Sequence, residues 1–520
     1  MTEPSAVFVQ VGPSDTLTTA VRNGATWSAA GVEVTWSDGT FGVSAQAISR
    51  VAVRWSEPLP AEALILGDAW ERSYGDLQWR HQQPERLLPW YFLAHDRSTG
   101  RTTGAGVDVQ PNAFCSWTVD ADGFTLWLDL RNGGGPTQLN SRTLTAATVR
   151  QFEDAGTPWL TLHAAVAAMS SRLPARPEPA PVVGANNWYY AYGENFDEKA
   201  VLQDATTVVE LADGHPVKPF SVVDDGWYPG GNASGGPWDA GTPGVFDDLA
   251  HTASAIKEIG ARPGLWFRPL LSREPGPWGI PDRRARTLDP THPEVLQMVR
   301  TDLQRFRDWG FELVKHDFST YDVFGRFGPA MGSELTKSGW QFHDSTRTTA
   351  EIVLAFYREI RSAADDVVLI GCNTVGHLAA GLVDVQRTGD DTSGRDWERT
   401  RKMGVNTLAF RLPQHNRFFT VDADCVPCTP ETPWELNEQF LDLVARSGTA
   451  LFVSVDPAAR TERSDRALSE GIRLALSGGD RSGIEPADWL VNTAPNSWRS
   501  GAETIRYDWS RPWGADPVIP

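Results

Sequence analysis

Four cysteines in 520 residues (Cys115, Cys372, Cys425 and Cys428) are too few to staple a fold of this size, so a disulfide scaffold is excluded. Nowhere do 18 or more apolar residues run together, which leaves no candidate membrane-spanning helix. The opening MTEPSAVFVQ has no basic start followed by an apolar run, so no secretory signal is visible and the expected location is the cytoplasm. Positive charge is in deficit: 47 Lys and Arg stand against 66 Asp and Glu, a net charge of −19. A body of that sign repels phosphate backbones and anionic lipid, which argues against a nucleic-acid or membrane-surface protein. There is no low-complexity tract. With 41% hydrophobic and 22% charged residues, the composition is that of a globular chain.

What the chain has in excess is tryptophan, 22 residues of it. Indoles fill cores and β-sandwiches, and they also offer flat platforms for sugar faces. Residues 1–175 read as all-β: short alternating runs such as VEVTWSD, AISRVAVRW and GFTLWLDLR are separated by Gly, Asp, Asn and Pro clusters. The segment Arg131-Asn132-Gly133-Gly134-Gly135-Pro136 reads as a turn between two strands. The run RLPARPEPAPVVG, with Pro174, Pro177, Pro179 and Pro181, can continue neither a helix nor a central strand and marks a domain boundary. From there to 472, strand and helix patterns alternate.

Eight strands are expected within 182–188, 219–227, 262–270, 311–318, 366–373, 382–389, 417–424 and 450–456, although the link between the fifth and sixth is too short for a full helix. Eight such units predict a (β/α)8 TIM barrel over 176–472, preceded by an N-terminal β-sandwich over 1–175; a doubly wound open sheet is the alternative. Residues 473–520 return to short β-like pieces, a small closing region.

In a barrel of this kind the reacting groups come from the C-terminal ends of the strands. Those ends carry Asp224 and Asp225, Arg268, Lys315 and Asp317, Cys372 and Asn373, Arg387 with Asp390 and Asp391, Asp422 and Asp424, and Ser454 with Asp456. Each aspartate alone can be a helix cap. Carboxylates on five of eight strands are a different matter, because a ring of them repels itself without a task or partners. Two chemistries use such a ring: a divalent metal held by three or more carboxylates, and glycoside hydrolysis by an acid and a nucleophile. Lys315 and Arg387 would compete with a cation for the acids, and Trp188, Trp227 and Trp266 stand where rings can stack on a pyranose. Both favour the glycoside.

The motifs VVDDGWYPG, GLWFRPLL, LVKHDFSTYD and LIGCNTVGHLAAGLVDVQRTGDDT resemble, in order and spacing, the barrel motifs of glycoside hydrolase family 36, the α-galactosidase and raffinose-synthase family. GANNWYYAYGENF and NRFFTVDADC resemble its first- and seventh-strand motifs, and SYGDLQWR, LPWYFLAHD and NAFCSWTVDADGFTLWLDLRNGG its leading sandwich.

That resemblance implies a retaining, exo-acting α-galactosidase with no metal or organic cofactor. Asp317 would be the nucleophile, and Lys315 would hold a hydroxyl and favour the ionised nucleophile. Arg387 would orient the sugar, and Asp391 would be the acid/base. The neighbouring Asp390 is a position often not acidic in the family, which leaves Asp390 or Asp391 open for that role. Asp224 and Asp225 would grip the 4- and 6-hydroxyls, with Trp227 walling the same pocket. Cys372, beside Asn373, would lie near the 2-position or be an inert buried thiol. Asp422 and Asp424 would support or cap.

Arg268 departs from the small or acidic residue expected there and would narrow the pocket or meet an anionic substituent. Cys425-Val-Pro-Cys428, without a second pair or nearby histidines, does not make a zinc site. His316 should alternate away from the site. The mechanism asks that the carboxyls of Asp317 and Asp391 face each other across about 5–6 Å.

An α-N-acetylgalactosaminidase or a transglycosylase on the same fold, a metal-dependent barrel hydrolase and a non-catalytic sugar-binding protein remain the rivals. A substrate panel, sensitivity to a chelator, and binding without turnover separate them. The expected partner is a small-molecule or oligosaccharide α-galactoside, not nucleic acid or membrane, and a homo-oligomer is compatible with the chain.

Overall fold

The computed structural model describes residues 2–174, 180–194, 196–231, 234–281 and 286–514. Pro177 and Pro179 of the proline run lie outside the described residues. Two antiparallel sheets, of six and nine strands, occupy the first part of the chain. Their inner faces are apolar and aromatic, and Trp55, Trp117, Phe92 and Phe124 meet ring to ring between them, with Trp117 and Phe92 centroids 5.5 Å apart.

The glycine-rich segment after the strand Gly123–Asp129 is a turn, closed by an antiparallel bridge between Asn132 and Gly135. It also clasps the second domain. Asn132 Nδ2 donates to the carbonyls of Asp344 (2.9 Å) and Arg347 (2.7 Å). A Cβ on Gly134 would stand 2.1 Å from the Lys337 carbonyl oxygen, so no larger residue fits that approach.

The second domain is a parallel barrel. Its strands are β1 (Val183–Asn186), β2 (Phe220–Val223), β3 (Arg262–Phe267), β4 (Leu313–His316), β5 (Val368–Gly371), β6 (Val385–Arg387), β7 (Thr420–Asp422), β8 (Val426–Cys428) and β9 (Leu451–Val455). Neighbours pair in parallel from β1 through β7, and β9 pairs with both β1 and β8. A parallel bridge between Asp422 and Ala450 joins β7 to the start of β9 and closes the ring, which excludes the open sheet.

The eight expected strands fall where the patterning puts them. The difference is at the seventh, which is broken into β7 and β8 by a kink at Asp424 (φ 77°). Runs buried along their whole length, such as LFVSV in β9, reflect a sheet covered on both faces. The outer helices carry their own start signals: α1 (Glu198–Ala212) is capped by Asp197, α2 (Leu249–Ile259) by Asp248, α3 (Pro293–Asp308) opens on a proline, and α4 (Thr349–Ala364) starts with a Thr348/Glu351 capping box. Between β5 and β6 stands only the four-residue helix Gly376–Ala379, the short link read from the sequence. Near the end of the described chain, Glu485–Pro486, Ser497–Ser500 and Glu503–Arg506 form a three-stranded antiparallel sheet. No helix among the described residues is long and apolar enough to cross a membrane.

His316 faces away from the barrel mouth, fully buried near Tyr357, and neither ring nitrogen has a hydrogen-bond partner among the described residues. Burial pushes its pKa down to about 4. The unfolded chain, titrating near 6.5, therefore binds protons the folded chain refuses, and the stability tied to this neutral histidine is lost as pH falls from about 6.5 towards 4. His316→Leu removes that term together with two orphan polar atoms. In unfolding measured at about pH 7 and about pH 5, the variant should lose about 2 kcal/mol less than the parent on acidification.

Candidate active site

The C-terminal mouth of the barrel holds a cavity of ≈ 360 Å³. Its wall brings together Trp188, Asp224, Asp225, Trp266, Arg268, Lys315, Asp317, Asp390 and Asp391 from the sequence reading. Strand alternation does part of this: Lys315 and Asp317 share a face at the tip of β4, with His316 on the other.

The residue after Asp317, Phe318, is in the left-handed region (φ 62°), an uncommon conformation for a residue with a side chain. Its N–H donates to Asp317 Oδ1 at 2.6 Å. The Trp266 indole on neighbouring β3 donates to Asp317 Oδ2 at 3.1 Å. Both oxygens of Asp317 are thus held while the group lines open space.

Beside it, Lys315 Nζ donates to Asp224 Oδ2 at 2.7 Å. Burial works against this ammonium, and the Asp224 carboxylate outweighs it, so the lysine's pKa stands above its ordinary value. Asp224 also accepts from Asn186 Nδ2 (2.5 Å) and from the N–H of Asp225 (2.8 Å). Burial, reinforced by the charges of Asp224 and Asp317, pushes Asp225 up to about 7, although the Tyr228 hydroxyl donates to it at 2.6 Å. The turn that aims this pair needs Gly226: its φ is 115°, and a Cβ there would meet the Gly193 carbonyl oxygen at 2.6 Å.

On the β6 side, Arg387 is fully buried and forks between Asp391 Oδ1 (3.0 Å) and Asp424 Oδ2 (2.9 Å). Asp424, thrown inward by the kink that splits the seventh strand, also accepts from the Tyr189 hydroxyl and from Thr392 N (2.7 Å). It thereby ties Arg387 to Tyr189 and to the segment after β6. Burial alone would raise the pKa of Asp391, but the surrounding cations Arg387, Arg72, Lys315 and Arg399 overcome it and hold the carboxyl below its usual value. Asp390 is gripped from two sides, by Arg399 (2.5 Å) and Arg72 (3.1 Å). Asp422 accepts from Asp424 N (2.8 Å) and is pushed up to about 6 by burial. Asp456 is a helix cap, accepting from Ala458 N at 2.8 Å.

Several expected contacts lie elsewhere. Trp227 does not wall the cavity: it is fully buried behind Trp266, donating its indole N–H to the Trp266 carbonyl at 2.8 Å. Cys372 lies off the wall, a buried thiol pushed up by burial, with Arg387 Nη1 3.9 Å from its sulfur. Asn373, also fully buried, is scaffolding: its Oδ1 accepts from Tyr321 N (3.1 Å) and its Nδ2 donates to Glu71. Arg387 reaches the cavity only through Asp391, for it too is absent from the wall. Arg268 lines the cavity, but Asp322 takes its charge in a bidentate pair (2.9 and 2.5 Å) while Phe318 covers its face, which disfavours a bound anion. Cys425 and Cys428 are free buried thiols. Among the described residues, no group of three or more His, Cys, Asp and Glu is placed to hold a metal ion.

Sequence reasoning missed Arg72 and Tyr74 of the sandwich, and Tyr189, Phe318, Phe327 and Arg399 of the barrel, all of which line the cavity. A signal existed for the first two: Tyr74 lies inside the motif SYGDLQWR already quoted, and Arg72 stands immediately before it.

No family model matches this chain, and no curated protein matches it in sequence. Its structure is similar to that of an α-galactosidase from Thermus thermophilus in complex with p-nitrophenyl α-D-galactopyranoside (TM-score 0.63, 18% identity, 97% of this chain and 99% of that one). It is also similar to a variant of the GH36 α-galactosidase AgaA from Geobacillus stearothermophilus in complex with 1-deoxygalactonojirimycin (TM-score 0.58, 14% identity, 91% and 72%). A third is the GH36 α-galactosidase AgaB from the same organism (TM-score 0.54, 13% identity, 87% and 68%). The sandwich-plus-barrel fold expected from the motifs is the fold of these structural neighbours.

Proposed function

We propose that this chain is a retaining, exo-acting α-galactosidase. The observation that carries the reading is the meeting of Asp317 and Asp391, from the ends of β4 and β6, on the wall of one small cavity beside the Lys315–Asp224 pair. Asp317, with both oxygens held by hydrogen bonds and its side chain on the cavity wall, attacks the anomeric carbon from the β face while Asp391 gives a proton to the leaving oxygen. Water, deprotonated by Asp391, then cleaves the glycosyl ester, so galactose departs with its configuration retained. Lys315, Asp224 and Asp225 supply charged partners for the sugar hydroxyls. The wrong epimer leaves such buried groups unpaired, which is a strong basis for rejection. Asp390, locked between two arginines, is a support for Asp391 in this scheme. Four free thiols fit a reducing, cytoplasmic setting.

The test is a panel of aryl α-glycosides with the first-formed anomer read by NMR. The α-galactoside should be cleaved well ahead of its gluco epimer, with α-galactose appearing first. β-Galactose as first product would overturn the retaining mechanism, and preference for the N-acetylated sugar would reassign the substrate.

A further inference from the structure

One short stretch of the sandwich is built into the barrel mouth. Asp68 accepts from Arg411 Nε (2.7 Å) and Gln414 Nε2 (3.0 Å). The buried carboxylate of Glu71 accepts from Gly328 N (2.8 Å), from Tyr74 and from Asn373. Ser73 adds a parallel bridge to the tip of β6: its N–H donates to the Thr388 carbonyl (2.9 Å), and its own carbonyl accepts from Asp390 N (2.8 Å). Gly75 (φ 69°) permits the approach, since a Cβ there would lie 2.1 Å from Lys402 Cγ and 2.8 Å from the Lys402 carbonyl oxygen. Between these anchors stands Arg72, buried, with Nη1 3.1 Å from Asp390 Oδ1 and 3.2 Å from Asp391 Oδ1. Tyr74 and Phe327 flank its guanidinium, at 5.6 and 5.8 Å from the ring centroids.

We propose that Arg72 is a positioning residue supplied by the sandwich, which fixes the carboxyl of Asp391 and sets the alkaline edge of the enzyme's activity. This rests on the galactosidase reading above. A general acid must carry a proton to the leaving oxygen, and a guanidinium at hydrogen-bond distance favours the ionised form instead.

The groups facing Asp391 are the cations Arg387 from β6, Arg72 from the sandwich, Lys315 from β4 and Arg399 from the helix Trp397–Thr400, together with the adjacent carboxylate of Asp390, which shares Arg72, and the Tyr189 hydroxyl, which burial keeps neutral. Of the cations, Arg387 is also claimed by Asp424, Lys315 by Asp224, and Arg399 by Asp390. Arg72 divides itself between the two adjacent aspartates. The barrel's acid step is therefore tuned by a residue of another domain, which no barrel motif reveals.

The pH profile of kcat/KM for an α-galactoside with a poor leaving group tests this. Arg72→Gln should move the alkaline limb up by about one pH unit, the effect of losing one close opposite charge. Arg72→Lys, which keeps a cation, should hold the limb near its original place. Asp390→Asn should move it down, because it removes a neighbouring anion and leaves Arg72 to Asp391 alone. A purely structural Arg72 would lower the rate at all pH values without displacing the limb, and that result overturns the inference. If Arg72→Gln does not fold, Asp390→Asn decides: a limb that stays or rises overturns it. Absence of α-galactoside turnover by the parent enzyme sinks the galactosidase reading and this inference together, whereas a limb that follows Asp391 but ignores Arg72 sinks this inference alone.

Discussion

Asp317→Ala should lower turnover of an aryl α-galactoside by roughly 10⁴-fold or more, the scale on which removing a covalent nucleophile acts. The loss should be chemical, not structural. Among the described residues Asp317 accepts two hydrogen bonds, from Trp266 and Phe318, and its side chain borders the cavity, so alanine leaves space rather than a buried unpaired charge. Azide should enter that space and attack the anomeric carbon from the face the carboxylate vacated. The product is then β-galactosyl azide, formed in one inverting step from the α-galactoside. Recovery of rate with azide, together with that stereochemistry, ties Asp317 to the nucleophilic role. Unchanged turnover in the variant would remove Asp317 from the mechanism, and the ring of carboxylates would need a different reading.

The barrel was legible because its signals are local. Each strand is a short apolar run closed by polar residues, each long helix carries its own caps, and parallel strands buried on both faces read as continuous hydrophobic stretches. Lys315 and Asp317 could be placed on one face by the two-residue period alone. What the sequence could not supply was depth along a side chain. Trp227 and Trp266 both stand beside a strand end, yet Trp266 turns its indole N–H to Asp317 while Trp227 turns its own to the Trp266 backbone and is sealed behind it. Arg387 and Cys372 end strands as expected and still stop one layer short of the cavity. The partner of Arg268 was hidden for a similar reason: Asp322 lies 54 residues away on the helix Ser319–Phe324, and only the fold brings the two together. Arg72 was the hardest to read, because its approach to Asp391 spans 319 residues and crosses from one domain to the other.

The doubled aspartate after β6 is resolved by a second pair of variants. Asp390 and Asp391 are adjacent in sequence and differ in what holds them. Asp390 is buried, with Arg399 at 2.5 Å and Arg72 at 3.1 Å, and its N–H is tied to Ser73. Asp391 is the more open of the two: its side chain is 38% exposed against 12% for Asp390. A group that must give a proton to a leaving oxygen and later take one from water needs that access.

Asp391→Ala is therefore expected to cost about 10²–10⁴-fold for a galactoside whose leaving group needs protonation. It should cost far less for an activated aryl leaving group, which departs as a stable anion. Plotting log kcat/KM against leaving-group pKa should give a steep negative slope for this variant and a shallow one for the parent. Asp390→Ala should instead free Arg72 and Arg399, lower activity across all leaving groups and leave the slope shallow. The steep slope appearing in Asp390→Ala, with Asp391→Ala shallow, would exchange the two roles. It would also make Arg399, not Arg387, the arginine beside the proton donor.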